Sequence, residues 1–427
     1  MLAVLHLQEL LRLILVKKTK KMKLNRKLLI GFGFAALAIT SCGNDDDSST
    51  PTLTETVTVS QVSANYAAIA RANYGDALTD AQALQTAVIA FTEAPSAELF
   101  QAAKDAWLTA RESYGTTEAF RLSDGPIDGD GSNGEEGPEG LLNSWPMDEN
   151  FVDYVFEDAM SGFINGTEAI DIAALSESNG GGSDETEVFV GYHTIEFLLW
   201  GQDNPDPSNK LAGQRAYTDY VEGAEGVINA DRRAEYLVEV TAFLITNLEE
   251  VVNEWAEGEN YDAIFASLED ATVIENVLGG LAKFTSGELG GERIAPAIEL
   301  EGSQEDEHSC FSDNTHRDIA LNFEGVSNLY YGEYNNISGA SFADLVAQAD
   351  PDTATVVDAA FATAAASVTA ATTGDNIPFD FAITQGAGAV EFDNVMTAFN
   401  DLQLLGRQLV AAADALGVNG VSAELPE

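Results

Sequence analysis

The chain has 427 residues, 45% of them hydrophobic, and sets 20 basic against 70 acidic residues for a net charge of −50. Its length allows a substantial core in two or three domains, and its apolar content excludes a disordered polymer. The acidity excludes nucleic acid and anionic membrane surfaces as partners and favours cations. The imbalance deepens past the N-terminus: residues 1–41 hold eight basic residues and one acidic, leaving 12 against 69, a net −57.

The first segment reads as an export signal. Lys23, Arg26 and Lys27 precede an apolar stretch from Leu28 to about Thr40, too short for a bilayer and right for a signal-peptide core. Met22 is the expected start, with residues 1–21 an over-extended beginning. Ile39-Thr40-Ser41-Cys42 resembles a lipobox, which makes Cys42 the expected lipidation site and residues 1–41 a removed leader. Residues 42–60 form an acidic flexible tether, opening on Gly43-Asn44-Asp45-Asp46-Asp47, and resemble a surface-export signal. Cys310 then stands alone in the mature chain, which excludes an intramolecular disulfide. No other segment reads as long and apolar enough to span a membrane.

From residue 61 the periodicity is helical. Helices are expected over 60–91 and 96–120, the second with Leu99, Ala103, Trp107 and Ala110 on one stripe. An acidic Gly-rich loop, 123–140, leads to a short helix over 150–165, a Gly-rich break at 180–182 and a helix carrying His193. Further helices are expected over 215–228, 231–257, 261–289, 317–331, 342–349, 353–372 and 385–416. Long helices with short connections and no strand ladder predict an all-α fold of two packed bundles, residues 61–201 and 211–416.

Three constellations carry chemistry. His193 and Glu196 lie three apart in the apolar run Val188–Trp200, so a helix places both on one buried face, where a metal ion satisfies imidazole and carboxylate together. A buried His bonded to a carboxylate is the structural alternative. Phe197 occupies the position where both metallopeptidase signatures, His-Glu-x-x-His and His-x-x-Glu-His, need a second histidine. The second constellation, Glu305 to His316, gathers His308, Cys310, Asp313 and His316; it reads either as further ligands or as a charged loop of turn and cap residues. In the third, Asp128, Asp130, Ser132 and Glu139 space oxygens like a calcium loop, but Asn133 stands where the sharp turn needs glycine.

These residues resemble the imelysin family. Gly191-Tyr192-His193-Thr194-Ile195-Glu196 fits its Gly-x-His-x-x-Glu signature. Trp107 with Arg111, Glu118-Ala119-Phe120-Arg121, Gly125-Pro126-Ile127-Asp128, Glu139-Gly140 and Asn143–Glu149 follow the family pattern in order, and His308–His316 resembles its iron-regulated branch. The likeness runs from about Val62 to Leu416. It implies two helical bundles related by duplication, with the signature helix at their interface, in a periplasmic or surface-exposed outer-membrane lipoprotein tied to iron acquisition. The concentration of His and carboxylates in two separated segments of this acidic chain makes the leading expectation a transition metal, iron first and zinc second, with His193 and Glu196 as inner ligands and Glu118, His308, Asp313 and His316 closing the shell. Trp107, Arg111, Arg121, Asp128 and Glu139 would support that interface, and an outer-membrane transporter would be the partner. Two alternatives stay open: a metal-dependent hydrolase with Glu196 as general base, since peptidase activity is assigned to some members, and a surface scaffold or haem-like ligand receptor.

Overall fold

Apolar spacing of three and four residues dictates the first long helix, α1 (Val59–Glu93), which buries Tyr66, Ala70, Ala77, Ala81, Leu84, Val88 and Phe91 along one stripe. In the computed structural model, which describes residues 56–129, 137–179, 186–299, 304 and 307–425, Thr58 and Gln61 close a reciprocal capping box at its start. The leader, Cys42 and most of the tether lie outside the described residues. Ser96 caps α2 (Ala97–Thr117), whose inner face carries Phe100, Ala103, Trp107, Ala110 and Tyr114. α3 (Tyr192–Trp200) has all nine residues buried. The remaining longer helices are α4 (Ala230–Glu254), α5 (Asp270–Lys283), α6 (Thr315–Tyr331), α7 (Phe342–Ala349), α8 (Pro351–Ala371) and α9 (Val390–Ala415).

α1 lies along both α2 and α4, so helices from either side of residues 202–210 share one core. α9 packs against both α5 and α8, with α6 bridging from α2 to α8. At Gly325 of α6 a Cβ would stand 2.4 Å from the Thr116 carbonyl oxygen, so glycine sets how closely α6 approaches α2. α8 is long and apolar enough to cross a membrane by length and composition, contrary to expectation; it packs along α9 and α7, with 44% of that apolar window buried. The sheet content among the described residues is one two-residue hairpin, Glu333–Tyr334 with Ile337–Ser338.

Three predicted helices are corrected. The stretch 150–165 holds only single turns at Glu149–Phe151 and Phe163–Asn165, and 215–228 only Tyr217–Tyr220. Both are instead tied by buried ions: Asp153 accepts from Arg215 Nη1 at 2.6 Å and from Arg233 Nε and Nη2 at 2.6 and 2.9 Å. Arg232 donates to the carbonyls of Phe163, Ile164 and Glu168, satisfying backbone oxygens that a helix would pair internally. The predicted 261–289 helix breaks after Phe265, resumes as α5 and widens into a π-helix over Phe284–Glu292.

Candidate metal centre

Two separated segments build the centre. α3 starts at Gly191, φ +94°, where a Cβ would meet the Leu142 carbonyl oxygen at 2.7 Å. Only glycine tolerates that torsion and that approach together. Trp107 of α2 donates its indole N–H to the Tyr192 carbonyl at 3.0 Å, fixing the first turn. His193 and Glu196 then share one face, fully buried, with Nδ1 2.9 Å from Oε2.

The second segment runs from His308 to Asp318. Ser309 and Asp313, both at positive φ, flank the tight turn Cys310–Ser312. Ser312 gives its backbone N–H and its hydroxyl to Glu196 Oε1, at 2.8 and 2.6 Å. His308 Nε2 lies 3.2 Å from His193 Nε2. Its Nδ1 stands 2.8 Å from Asp318 Oδ2, which also accepts from the Ser309 hydroxyl at 2.5 Å and pairs with the Arg111 guanidinium at 3.1 Å.

Proton positions follow from the charges. Burial alone raises the Asp318 carboxyl, but Arg111 and the His308 and Ser309 hydrogen bonds outweigh it and hold it well below the carboxylate range. An ionised Asp318 only accepts, so His308 carries its proton on Nδ1 and presents a lone pair at Nε2. Burial keeps both rings neutral, pushing His308 down to about 3 and His193 well below its ordinary value. Burial also lifts Glu196 to about 8, against the Ser312 hydrogen bonds. Near neutral pH, Glu196 therefore donates to His193 Nδ1, and His193 Nε2–H donates to His308. If the Glu196 proton passes to Nδ1 of His193 and the Nε2 proton leaves to solvent, two lone pairs face each other. The contact between the rings thus holds one proton or one cation. Two imidazoles bound side by side at about 2.0–2.1 Å to one ion stand roughly 3 Å apart, so the spacing fits a transition metal. A carboxylate behind each ring is the usual outer support of such ligands.

A polar cleft of about 240 Å³ reaches His308, lined among others by Arg121, Glu139, Asn143, Trp145 and Arg293. The Trp145 ring stands 4.9 Å from the His193 ring and 6.0 Å from that of His308. Arg121 bridges Asp128, Glu139 and Glu288 at 3.1, 3.2 and 3.0 Å. Arg293 pairs with Glu118 and with Glu288.

The fold brings together His193, Glu196 and His308 from the predicted set, with Arg111 reaching them through Asp318 and Trp107 through Tyr192. Glu118, expected in the ion's shell, instead joins Arg293 and Asn143; burial raises its carboxyl, yet Arg293 and Arg121 bring it down to about 2. Asp128 and Glu139 bind Arg121, and residues 130–136 between them lie outside the described residues. His316 Nδ1 faces the Asp313 carbonyl at 3.0 Å rather than the paired rings, and Asp313 falls in a separate acidic group. Cys310 is a free, buried thiol, its ionisation suppressed by burial. Asp318, Ser312, Arg293 and Glu288 escaped the sequence reading. The one available signal was Asp318 in the first turn of a predicted helix, where an acid reads as an ordinary dipole partner.

Fold and geometry define a class: a helical protein with a paired-imidazole centre buried beneath a polar cleft. The imelysin family, peptidase M75, matches residues 70–409, and the chain belongs to that family. It is 24% identical over 345 residues to iron-regulated protein A of Synechococcus elongatus (strain ATCC 33912 / PCC 7942 / FACHB-805), covering 79% of this chain and 81% of that protein. A solved structure from Parabacteroides distasonis ATCC 8503, described as a candidate iron-regulated protein A precursor, shares the fold with a TM-score of 0.59. It is 19% identical and covers 85% of this chain and 97% of its own. An imelysin-like protein from Psychrobacter arcticum 273-4 matches with a TM-score of 0.51 and 12% identity, over 85% and 98% of the two chains.

Proposed function

We propose that this imelysin-family protein binds iron, or another first-row transition metal, between His193 and His308, and serves metal acquisition. The observation that carries this reading is the 3.2 Å approach of two neutral imidazole nitrogens, each ring backed by its own carboxylate. Glu196 and Asp318 act as outer supports that set the tautomers, and Ser312 steadies Glu196. Two protein nitrogens leave the other positions of the ion to ligands arriving through the cleft, which suits the capture of metal as cargo. The relative named as iron-regulated protein A supports iron as first choice. In this reading Cys42 carries the lipid and residues 42–60 tether the helical body, at the periplasmic or outer face of the outer membrane. The bound metal passes to an outer-membrane transport partner.

The hydrolase alternative needs a carboxylate free to take a proton from water. Both Glu196 oxygens are already engaged, Oε2 by His193 and Oε1 by Ser312, so binding is the better-supported reading. The test is elemental analysis after incubation with competing metals and desalting. Stoichiometric metal in the wild type, absent from His193→Ala and His308→Ala, is expected; retention in either variant would remove that histidine from the shell.

A further inference from the structure

A second group of acids is not used by the imidazole centre. Asp203 follows α3, Asp313 follows the turn, and Asp380 belongs to the short helix Phe379–Thr384. Each offers an oxygen within 4.8 Å of the others. Asp380 is 2% exposed.

Glu307 is the independent sign that this group faces something. Its side chain is 0% exposed, and neither carboxylate oxygen has a hydrogen-bond partner among the described residues. Burial raises its carboxyl most, then the charge of Asp380; the Thr315 hydroxyl, which donates to the His308 carbonyl, opposes the rise, and Asp313 and Asp203 add to it, so the trio lies within electrostatic reach. One Asp313 oxygen is likewise buried without a partner. None of the four acids forms an ion pair among the described residues. The nearby Lys210 spends its ammonium on the carbonyls of Asp375 and Ile377 and on the Phe381 ring. Burial lifts Asp203 to about 7, Asp313 to about 8 and Asp380 to about 6, with repulsion from neighbouring acids adding to the first two and the Lys210 charge opposing the last. Gln304 is the one side chain seen joining the group, donating to Asp203 and Asp380 at 2.9 and 3.1 Å.

Four gathered carboxyls with no ion-paired cation among the described residues must hold protons or take a counter-charge, because a buried unpaired carboxylate is among the costliest groups a fold can hold. The donor set is all oxygen, with no imidazole or thiolate, which selects hard divalent ions over zinc, copper or iron. We propose that Asp203, Asp313 and Asp380, backed by Glu307, form a second cation site for a hard divalent ion of the calcium type, separate from the imidazole pair.

The test uses metal-stripped protein in 0.15 M sodium chloride at pH 7.5, titrated with calcium, magnesium and manganese and followed by calorimetry and thermal melting. The expected result is saturable uptake of one hard ion per chain and a raised Tm, in the wild type and in His193→Ala alike. Asp380→Asn should melt higher than wild type without added ion, since repulsion is relieved, and should lose the ion-induced shift. Glu307→Gln, which keeps the shape, should weaken uptake at least tenfold. Absence of saturable uptake by the wild type, or unchanged uptake in Asp380→Asn and Glu307→Gln, would overturn the site. The −50 chain can also condense ions diffusely, and that binding would be the same in every variant.

Discussion

At the residue scale the decisive event is one proton. In the ion-free chain it sits on His193 Nε2, facing His308 Nε2, while Glu196 keeps its own proton toward His193 Nδ1. A metal ion entering that contact displaces it, so uptake near neutral pH should release about one proton per ion and strengthen as pH rises. Calorimetry in buffers of different ionisation enthalpy measures this directly; buffer-independent heats would contradict it. Glu196→Gln keeps both rings but loses the ionised support of His193, and should weaken metal binding about 10–100-fold. If affinity is unchanged, Glu196 has no part in setting the tautomer. His193 and Glu196 were legible because their spacing is local. Asp318 was not, because its partner His308 stands ten residues earlier on the far side of a turn whose direction no local pattern encodes.

At the element scale, the long helices were readable from period and caps, and their ends fall close to expectation in α1, α2 and α4. The misses fall where charge replaces periodicity. Residues 150–165 and 215–228 have helix-like composition, yet Asp153, Arg215 and Arg233 hold them in a largely irregular course. Asp153 is fully buried, so Asp153→Ala leaves two guanidinium groups without their shared anion. The expected cost is about 3–5 kcal/mol, read as a lowered denaturant midpoint; a loss below about 1 kcal/mol, no more than an exposed ion pair is worth, would show the network to be incidental. Gly191→Ala forces a side chain into positive φ against the Leu142 carbonyl. It should cost about 1–3 kcal/mol and weaken metal uptake, because α3 carries His193 away from His308 when its first turn shifts.

At the scale of the whole molecule, the acids set how stability follows pH. Folded Glu139 and Asp203 sit at about 7 and Asp313 at about 8, chiefly through burial, against about 4 in an unfolded chain. Their folded values are raised, so the stability they contribute is full below about pH 4 and is lost as pH climbs toward about 8. Asp318 and Asp153 run the other way: burial is outweighed by their arginines, their folded values are depressed, and their contribution is lost only as pH falls below about 4. Metal-stripped protein should therefore melt at a higher temperature near about pH 5 than near about pH 8. Differential scanning calorimetry across that range decides it, and a Tm that rises steadily with pH would contradict the assignment.

The sequence by itself determined the all-α class, the positions of most long helices and the His193–Glu196 pair, because each depends on spacing within a few turns of backbone. It also carried the family resemblance, since ordered motifs survive in the linear string. Only the tertiary structure decided that His308 completes the centre, that Glu118 serves Arg293, and that Asp313 leaves the imidazoles for Asp203 and Asp380. Those outcomes depend on which distant carboxylate reaches which cation once both are buried, and burial is a property of the packed chain.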